Sequence, residues 1–169
     1  MTAADRFEIR PVRPAEFDAL GELTVAAYRL VSGEGPHLDQ YYHLLRNVAR
    51  RASTSRVMVA ADPGGVLLGG VTYVSGPADP YSEDLREGEA GIRMLAVDPA
   101  MQGHGVGRAL VEWCVERARL DGRRRMMLHT TESMPAAVRL YERMGFLRAP
   151  DRDFSPVPGV DLIAYLFEL

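Results

Sequence analysis

The chain has 169 residues and no lysine, so arginine carries all 20 of its basic charges. This removes phosphate loops that depend on a Gly-Lys pair followed by Ser or Thr. The arginines are spread along the whole chain, which reads as genome-wide codon usage and not as a local device. Cysteine is nearly absent too: Cys114 stands alone, so no internal disulfide can form. No apolar run approaches the length of a membrane span. The opening stretch MTAADRFEIR lacks the apolar core of a signal peptide. A cytoplasmic protein without membrane partners is therefore expected. The formal charge of -3 argues against a nucleic-acid partner, for which a basic domain is expected. What remains is ordinary for a globular chain, with 47% hydrophobic and 25% charged residues. No repeat or low-complexity tract divides it, so residues 1–169 read as a single domain large enough for a sizeable core.

Hydrophobic periodicity orders the elements. RFEIRPV reads as a short strand closed by Pro11. Phe17, Leu20, Leu23, Ala27 and Leu30 fall at helical spacing over 14–30, until SGEGP breaks the pattern. The spacing predicts a second helix over 38–50, with Leu38, Tyr41, Tyr42, Leu45 and Ala49 inward. RVMVAA and GVLLGGVTYV flank the turn DPGG and predict an antiparallel hairpin. A polar loop over 75–88 leads to the strand EAGIRMLAV at 89–97. Residues 105–121 form an amphipathic helix, with Val106, Ala109, Leu110, Trp113, Cys114 and Ala118 on one side. RMMLHT, a helix over 135–144 closed by Gly145, and the strand VDLIAYLFEL complete the chain. The order is βααβββαβαβ, with at least one more strand expected near 146–155.

The run DPAMQGHGVGRAL, 98–110, places glycines at 103, 105 and 107 where a helix must begin. Glycine is costly inside a helix, so the run asks for a reason. Free N–H groups at a helix start attract anions, and a phosphate approaches them closely only where side chains are missing. A pyrophosphate cradle explains the glycines, with Gln102 able to donate from its amide; a flexible turn is the plainer alternative. A dinucleotide fingerprint does not fit. The spacing is G-x-G-x-G and begins five residues past the strand, and the helix leads to DGRRR instead of an acidic residue.

Gln102-Gly103-His104-Gly105-Val106-Gly107 resembles the Q/R-x-x-G-x-G/A acyl-CoA motif of the GNAT superfamily of N-acetyltransferases. AAVRLYERMGF, 136–146, is similar to that family's later helix, with its recurrent Leu-Tyr and Gly-Phe. The resemblance implies an α/β fold with a central mixed sheet, splayed between its fourth and fifth strands and flanked by about four helices. Acetyl-CoA would lie in the splay as co-substrate. Backbone groups of Leu95, Ala96 and Val97 would pair with the pantetheine arm. The amides of residues 103–108, from Gly103 to Arg108, would hold the pyrophosphate. Met134 stands where many members carry a cofactor-contacting asparagine, and a methionine there can still pack on the pantetheine.

The implied reaction is attack of a primary amine on the thioester in a ternary complex. Tyr141 takes the general-acid position by resemblance, a phenol that stays protonated at neutral pH; otherwise it is a core aromatic. Glu89, on the same pleat face as Arg93 and Leu95, is the candidate base, and His129 or a water is its rival. His37 and His43 show no metal spacing, so no metal is expected. Asp79, Glu83, Asp84, Glu87 and Glu89 against Arg86 could favour a cationic acceptor or serve solubility alone. Tyr41, Tyr42 and Tyr81 could line an acceptor pocket, with RDFSPVPGV as one wall. Arg123, Arg124 and Arg125 could attract the cofactor's outer phosphate, or form a solvated turn. The acceptor, a small molecule or a peptide, stays unnamed, as does the choice between a monomer and a homodimer. A non-catalytic acyl-CoA sensor is the competing class.

Overall fold

The computed structural model describes residues 6–169. Strand β1 (Glu8–Pro11) leads through a 3-10 turn into helices α1 (Phe17–Ser32), α2 (Pro36–Arg46) and α3 (Val48–Thr54). Strands β2 (Arg56–Ala61), β3 (Leu67–Val74) and β4 (Glu89–Val97) follow, then α4 (Val106–Leu120), β5 (Arg125–Thr130) and α5 (Pro135–Arg143). Three strands close the chain: β6 (Leu147–Arg148), β7 (Phe154–Val157) and β8 (Val160–Glu168). They build a mixed sheet in the order β1-β2-β3-β4-β5-β8-β6, with β7 pairing on β8. Only β4 and β5 run parallel; the other pairs are antiparallel.

The expected mixed sheet and most element boundaries hold, with two differences. The single helix predicted over 38–50 is two helices, α2 and α3. The break falls at Asn47, whose side chain accepts from the Arg50 amide at 3.1 Å and so starts a new helix. The strand expected near 146–155 is two short ones, β6 and β7, separated by a 3-10 turn at Pro150–Arg152. The β2–β3 hairpin turns on Asp62, which accepts from the Gly65 amide through its carbonyl and from the Val66 amide through its side chain.

Bare backbone in β3 lets helices press on both faces. A Cβ on Gly69 would lie 2.7 Å from the Ala96 carbonyl and 3.0 Å from the Val106 side chain. Next along the strand, a Cβ on Gly70 would lie 2.6 Å from Leu20. So α4 covers one face and α1 the other. On the α4 face Leu110, Cys114, Met126, Leu128, Tyr141 and Phe146 form the main core. On the α1 face Leu20 and Val48 pack on Val57 and Val59. Each fully buried aliphatic side chain contributes roughly 1.5–3 kcal/mol. Among the described residues, no helix is long and apolar enough to cross a membrane.

Candidate active site

The parallel pairing of β4 with β5 ends early. Glu89 to Ile92 sit opposite Arg125 to Leu128, and the ladder then stops. Arg93–Val97 keep only their β3 partners, while His129 and Thr130 keep only β8. The sheet is therefore parted between its fourth and fifth strands. A bulge helps to part it. Thr72 pairs with Arg93 and Gly70 with Ala96, so Val71 alone faces two residues, Met94 and Leu95. Met94 takes a left-handed φ of 52°, which a methionine adopts only at a cost. Among the described residues the other non-glycine with positive φ is Glu83, at 51°, also beside the opening.

At the mouth of the opening the 98–110 run folds as a 3-10 turn, a loop and α4. Asp98 caps the turn by accepting from the Ala100 amide at 2.9 Å. Gly103 and Gly105 have φ of 79° and 84°, and Gly105 is the residue from which α4 starts. No side chain caps α4, so the amides of Val106, Gly107 and Arg108 face outward without a helical partner. The first α4 bond runs from the Ala109 amide to the Gly105 carbonyl. A Cβ on Gly107 would meet Leu140 and Val97, each at 3.4 Å, so α4, α5 and the end of β4 converge here. Gln102 and His104 are exposed, and the His104 Nδ1 lies 3.0 Å from the Gln102 carbonyl oxygen. Ala96 is buried, whereas Leu95 and Val97 are half-buried. The Met134 sulfur is turned toward β5, 3.6 Å from the Thr130 hydroxyl.

Tyr141 is 95% covered and stacks obliquely on Phe146. Burial, with Cys114 beside it, pushes the phenol well above its ordinary value, so it is a neutral proton donor. Among the described residues its hydroxyl has no hydrogen-bond partner. It lies within electrostatic reach of Tyr28 on α1. The two tyrosines belong to helices on opposite faces of the sheet.

Glu89, expected as the base, is held differently. It is 2% exposed. Its carboxylate accepts from Arg152 Nη1 at 3.1 Å and Nη2 at 3.0 Å, and from the Arg86 amide at 2.9 Å. Burial works to raise this carboxyl, but Arg152 and Arg86 overcome it and hold it below the usual range. Both oxygens are occupied and the anion is stabilised, so this residue is a poor proton acceptor. Arg152 also donates through Nε to Asp84 at 3.1 Å.

His129 lies beside this anchor. Its Nε2 sits 2.9 Å from the Arg152 carbonyl oxygen, which can only accept, so Nε2 carries the hydrogen. Nδ1 then faces Glu83 at 3.5 Å and Asp84 at 3.9 Å. Phe154 stands edge-to-face on the ring, 4.9 Å away, making part of the wall expected from RDFSPVPGV. Burial would raise the Glu83 carboxyl, but His129 and Arg93 hold it below the usual range. Arg93 itself is anchored by donating to the Ile92 and Ser82 carbonyls.

The rest of the acidic loop is mostly engaged elsewhere: Asp79 accepts from the Ser55 hydroxyl and the Tyr81 amide. Tyr42, expected in a pocket, is a core residue whose hydroxyl donates to the Gly33 carbonyl. Tyr41 is 38% exposed and stands edge-on to Tyr28 at 6.0 Å. Arg124 and Arg125 are tied to the Glu87 carbonyl and to Glu168. Sequence reasoning missed Arg51 and Tyr28, and it named Arg152 only as part of the RDFSPVPGV wall; none carries a motif, and all reach the site only through tertiary folding.

Residues 17–146 match the Acetyltransferase (GNAT) family, and the chain belongs to it. A mycothiol acetyltransferase of Geodermatophilus obscurus is 41% identical over 86 residues, covering 50% of this chain and 27% of that protein. The chain thus spans about a quarter of the length of that curated relative. A GNAT-family acetyltransferase of Staphylococcus aureus Mu50 superposes with a TM-score of 0.74 at 15% identity, covering 96% of this chain and 98% of the other. The yncA protein of Salmonella typhimurium, solved with its cofactor acetyl-CoA, superposes with a TM-score of 0.64 at 21% identity, covering 96% and 93%.

Proposed function

We propose that this chain moves the acetyl group of acetyl-CoA to a primary amine by direct attack in a ternary complex. The observation that carries the reading is the parted sheet, with the unpartnered phenol of Tyr141 at its α5 side and Glu83 bordering it. Bound acetyl-CoA supplies a thioester carbonyl for the amine to attack. The unpaired edge of Leu95, Ala96 and Val97 suits an extended pantetheine arm. The open amides at the start of α4, with Gln102, Gly103, His104 and Gly105 before them, suit a pyrophosphate. Met134 packs at the end of this groove.

Glu83 receives the ammonium as its counter-anion, and His129 Nδ1, 3.5 Å behind that carboxylate, takes the proton directly or through a water. Tyr141 donates its proton to the departing thiolate as the carbon–sulfur bond breaks, and its phenol is restored by the second proton that the attacking nitrogen sheds on becoming an amide. Glu89 acts through Arg152 as a positioning residue, since Arg152 orients His129.

The test is release of free CoA thiol from acetyl-CoA across a panel of primary amines. Release that depends on the amine supports transfer. Tight acetyl-CoA binding with no release from any amine replaces it with the acyl-CoA-binding sensor.

A further inference from the structure

Arg51 is a fully buried cation with an unfinished set of partners. It lies on α3 and is 1% exposed. Nη1 donates to the Leu44 and Leu45 carbonyls at 3.1 and 2.8 Å, in the last turn of α2. That explains one nitrogen, as an arginine completing a helix C-terminus. It leaves the Nε–Nη2 edge. Nε is buried with no partner, and among the described residues no carboxylate pairs with Arg51. A buried charge without a counterion is costly, and orphaned buried polar atoms call for an explanation.

The surroundings of that edge are specific. Tyr81, Tyr28 and Tyr41 all lie within electrostatic reach of the guanidinium. The Tyr81 hydroxyl is itself buried and unpartnered. Tyr28 and Tyr41 are also within reach of Glu83, and Tyr28 of Tyr141. Tyr28 and Tyr41 are thus common neighbours of the Arg51 cation and the Glu83 anion. Arg93, the other buried arginine nearby, is already matched by Glu83 at 3.4 Å.

We propose that the Nε–Nη2 edge of Arg51, with the Tyr81 hydroxyl, binds a carboxylate of the acceptor, so that the acetylated amine belongs to a free amino acid. The inference rests on the N-acetyltransferase reading and names its substrate class. A guanidinium edge presents two parallel N–H donors that match a carboxylate. A phosphate dianion would meet one positive charge among three aromatic rings, a poorer balance. On this proposal Glu83 holds the ammonium end and Arg51 the carboxylate end of the acceptor. A polyamine has nothing to offer Arg51. Tyr41 is the exposed member of the cluster.

The experiment compares L-amino acids with their carboxamides and decarboxylated amines, by CoA release and by calorimetric titration onto the CoA-bound protein. At least one amino acid should exceed both of its analogues by about 100-fold in kcat/KM and in affinity, the scale for losing charge-assisted hydrogen bonds at a buried site. Arg51→Lys keeps the charge and the α2 contact but loses the fork, and should collapse that preference toward unity. A thermal melt checks its folding, and Tyr81→Phe, which removes only a hydroxyl, should narrow the preference in the same direction. Amines turned over with no preference for a carboxylate, or a preference untouched by both variants, would overturn the proposal. Arg51-dependent binding of an amino acid without CoA release from any amine would instead overturn the transferase reading and leave the carboxylate site standing.

Discussion

The two sides of the parted sheet are built on different principles. The side facing the 98–110 loop is contiguous in sequence, from Leu95 to Arg108, and offers main-chain groups: an unpaired strand edge and three open helix amides. The side proposed to face the acceptor gathers Tyr28, Tyr41, Arg51, Glu83, His129 and Arg152 from six separate segments and relies on side-chain charge. A main-chain cradle needs small residues in one order and recognises what every acetyl-CoA shares. A side-chain site needs each charge matched from elsewhere in the fold. On the proposed reading, selectivity belongs to the second side.

The contrast breaks hardest at the buried anchor. Glu89→Gln keeps the shape but leaves Arg152 charged and half-paired, and breaking such a pair costs about 3–5 kcal/mol. The melting temperature should fall by roughly 10 °C. The folded Glu89 carboxyl titrates below its unfolded value. Its stabilisation is therefore complete above the ordinary glutamate pKa of about 4.3 and is lost as pH falls through the folded value. Melting curves of Glu89→Gln between neutral and acid pH should accordingly show a flatter acid limb than wild type. Equal stability of the two proteins at pH 7 would show that the anchor is not structural.

Tyr141→Phe comes next. It keeps the packing on Phe146 and should bind acetyl-CoA nearly as well, while turnover drops by roughly 100-fold, about 2.7 kcal/mol of transition-state stabilisation. Single-turnover kinetics are the proper measure, because slow product release would mask the loss. Wild-type turnover would return Tyr141 to a packing role.

On the main-chain side, Gly105→Val forces a branched residue to a φ of 84°. There is open space around a Cβ at this position, so the harm comes from the backbone and not from a clash. The strain is about 1–2 kcal/mol, enough for roughly a tenfold loss of CoA affinity by calorimetry. Unchanged affinity in the folded variant would remove the cradle from this loop. The smallest effect belongs to Glu112→Ala, which deletes the exposed pair with Arg108 at 2.7 Å. Stability should move by less than about 0.5 kcal/mol, since exposed pairs are solvated and screened. A larger loss would mean that the first turn of α4 depends on side chains after all.

Periodicity and glycine spacing already displayed the main-chain half. Gly103 and Gly105 announced a glycine-cleared helix start, and the strand before it was bounded by Asp98-Pro99. The split at Asn47 escaped because Tyr42 and Leu45 keep one helical period up to the break, and a capping side chain leaves no mark in hydrophobic pattern. Glu89 shows the opposite failure. Its strand position was correct, but a carboxylate's chemistry depends on its partners, and Arg152 lies 63 residues away.

From residue types and order alone, the element order and the glycine entry to α4 were determined, because each rests on local backbone geometry and short-range period, while the mixed sheet came with the family resemblance. Only the tertiary structure decided that Glu89 is an anchor, that His129 faces Glu83, and that Arg51 sits buried with no carboxylate partner among the described residues. The physical reason is that burial and ion pairing are properties of neighbours in space. The parting of β4 from β5 brings those neighbours together from both faces of the sheet, and no window of sequence contains them.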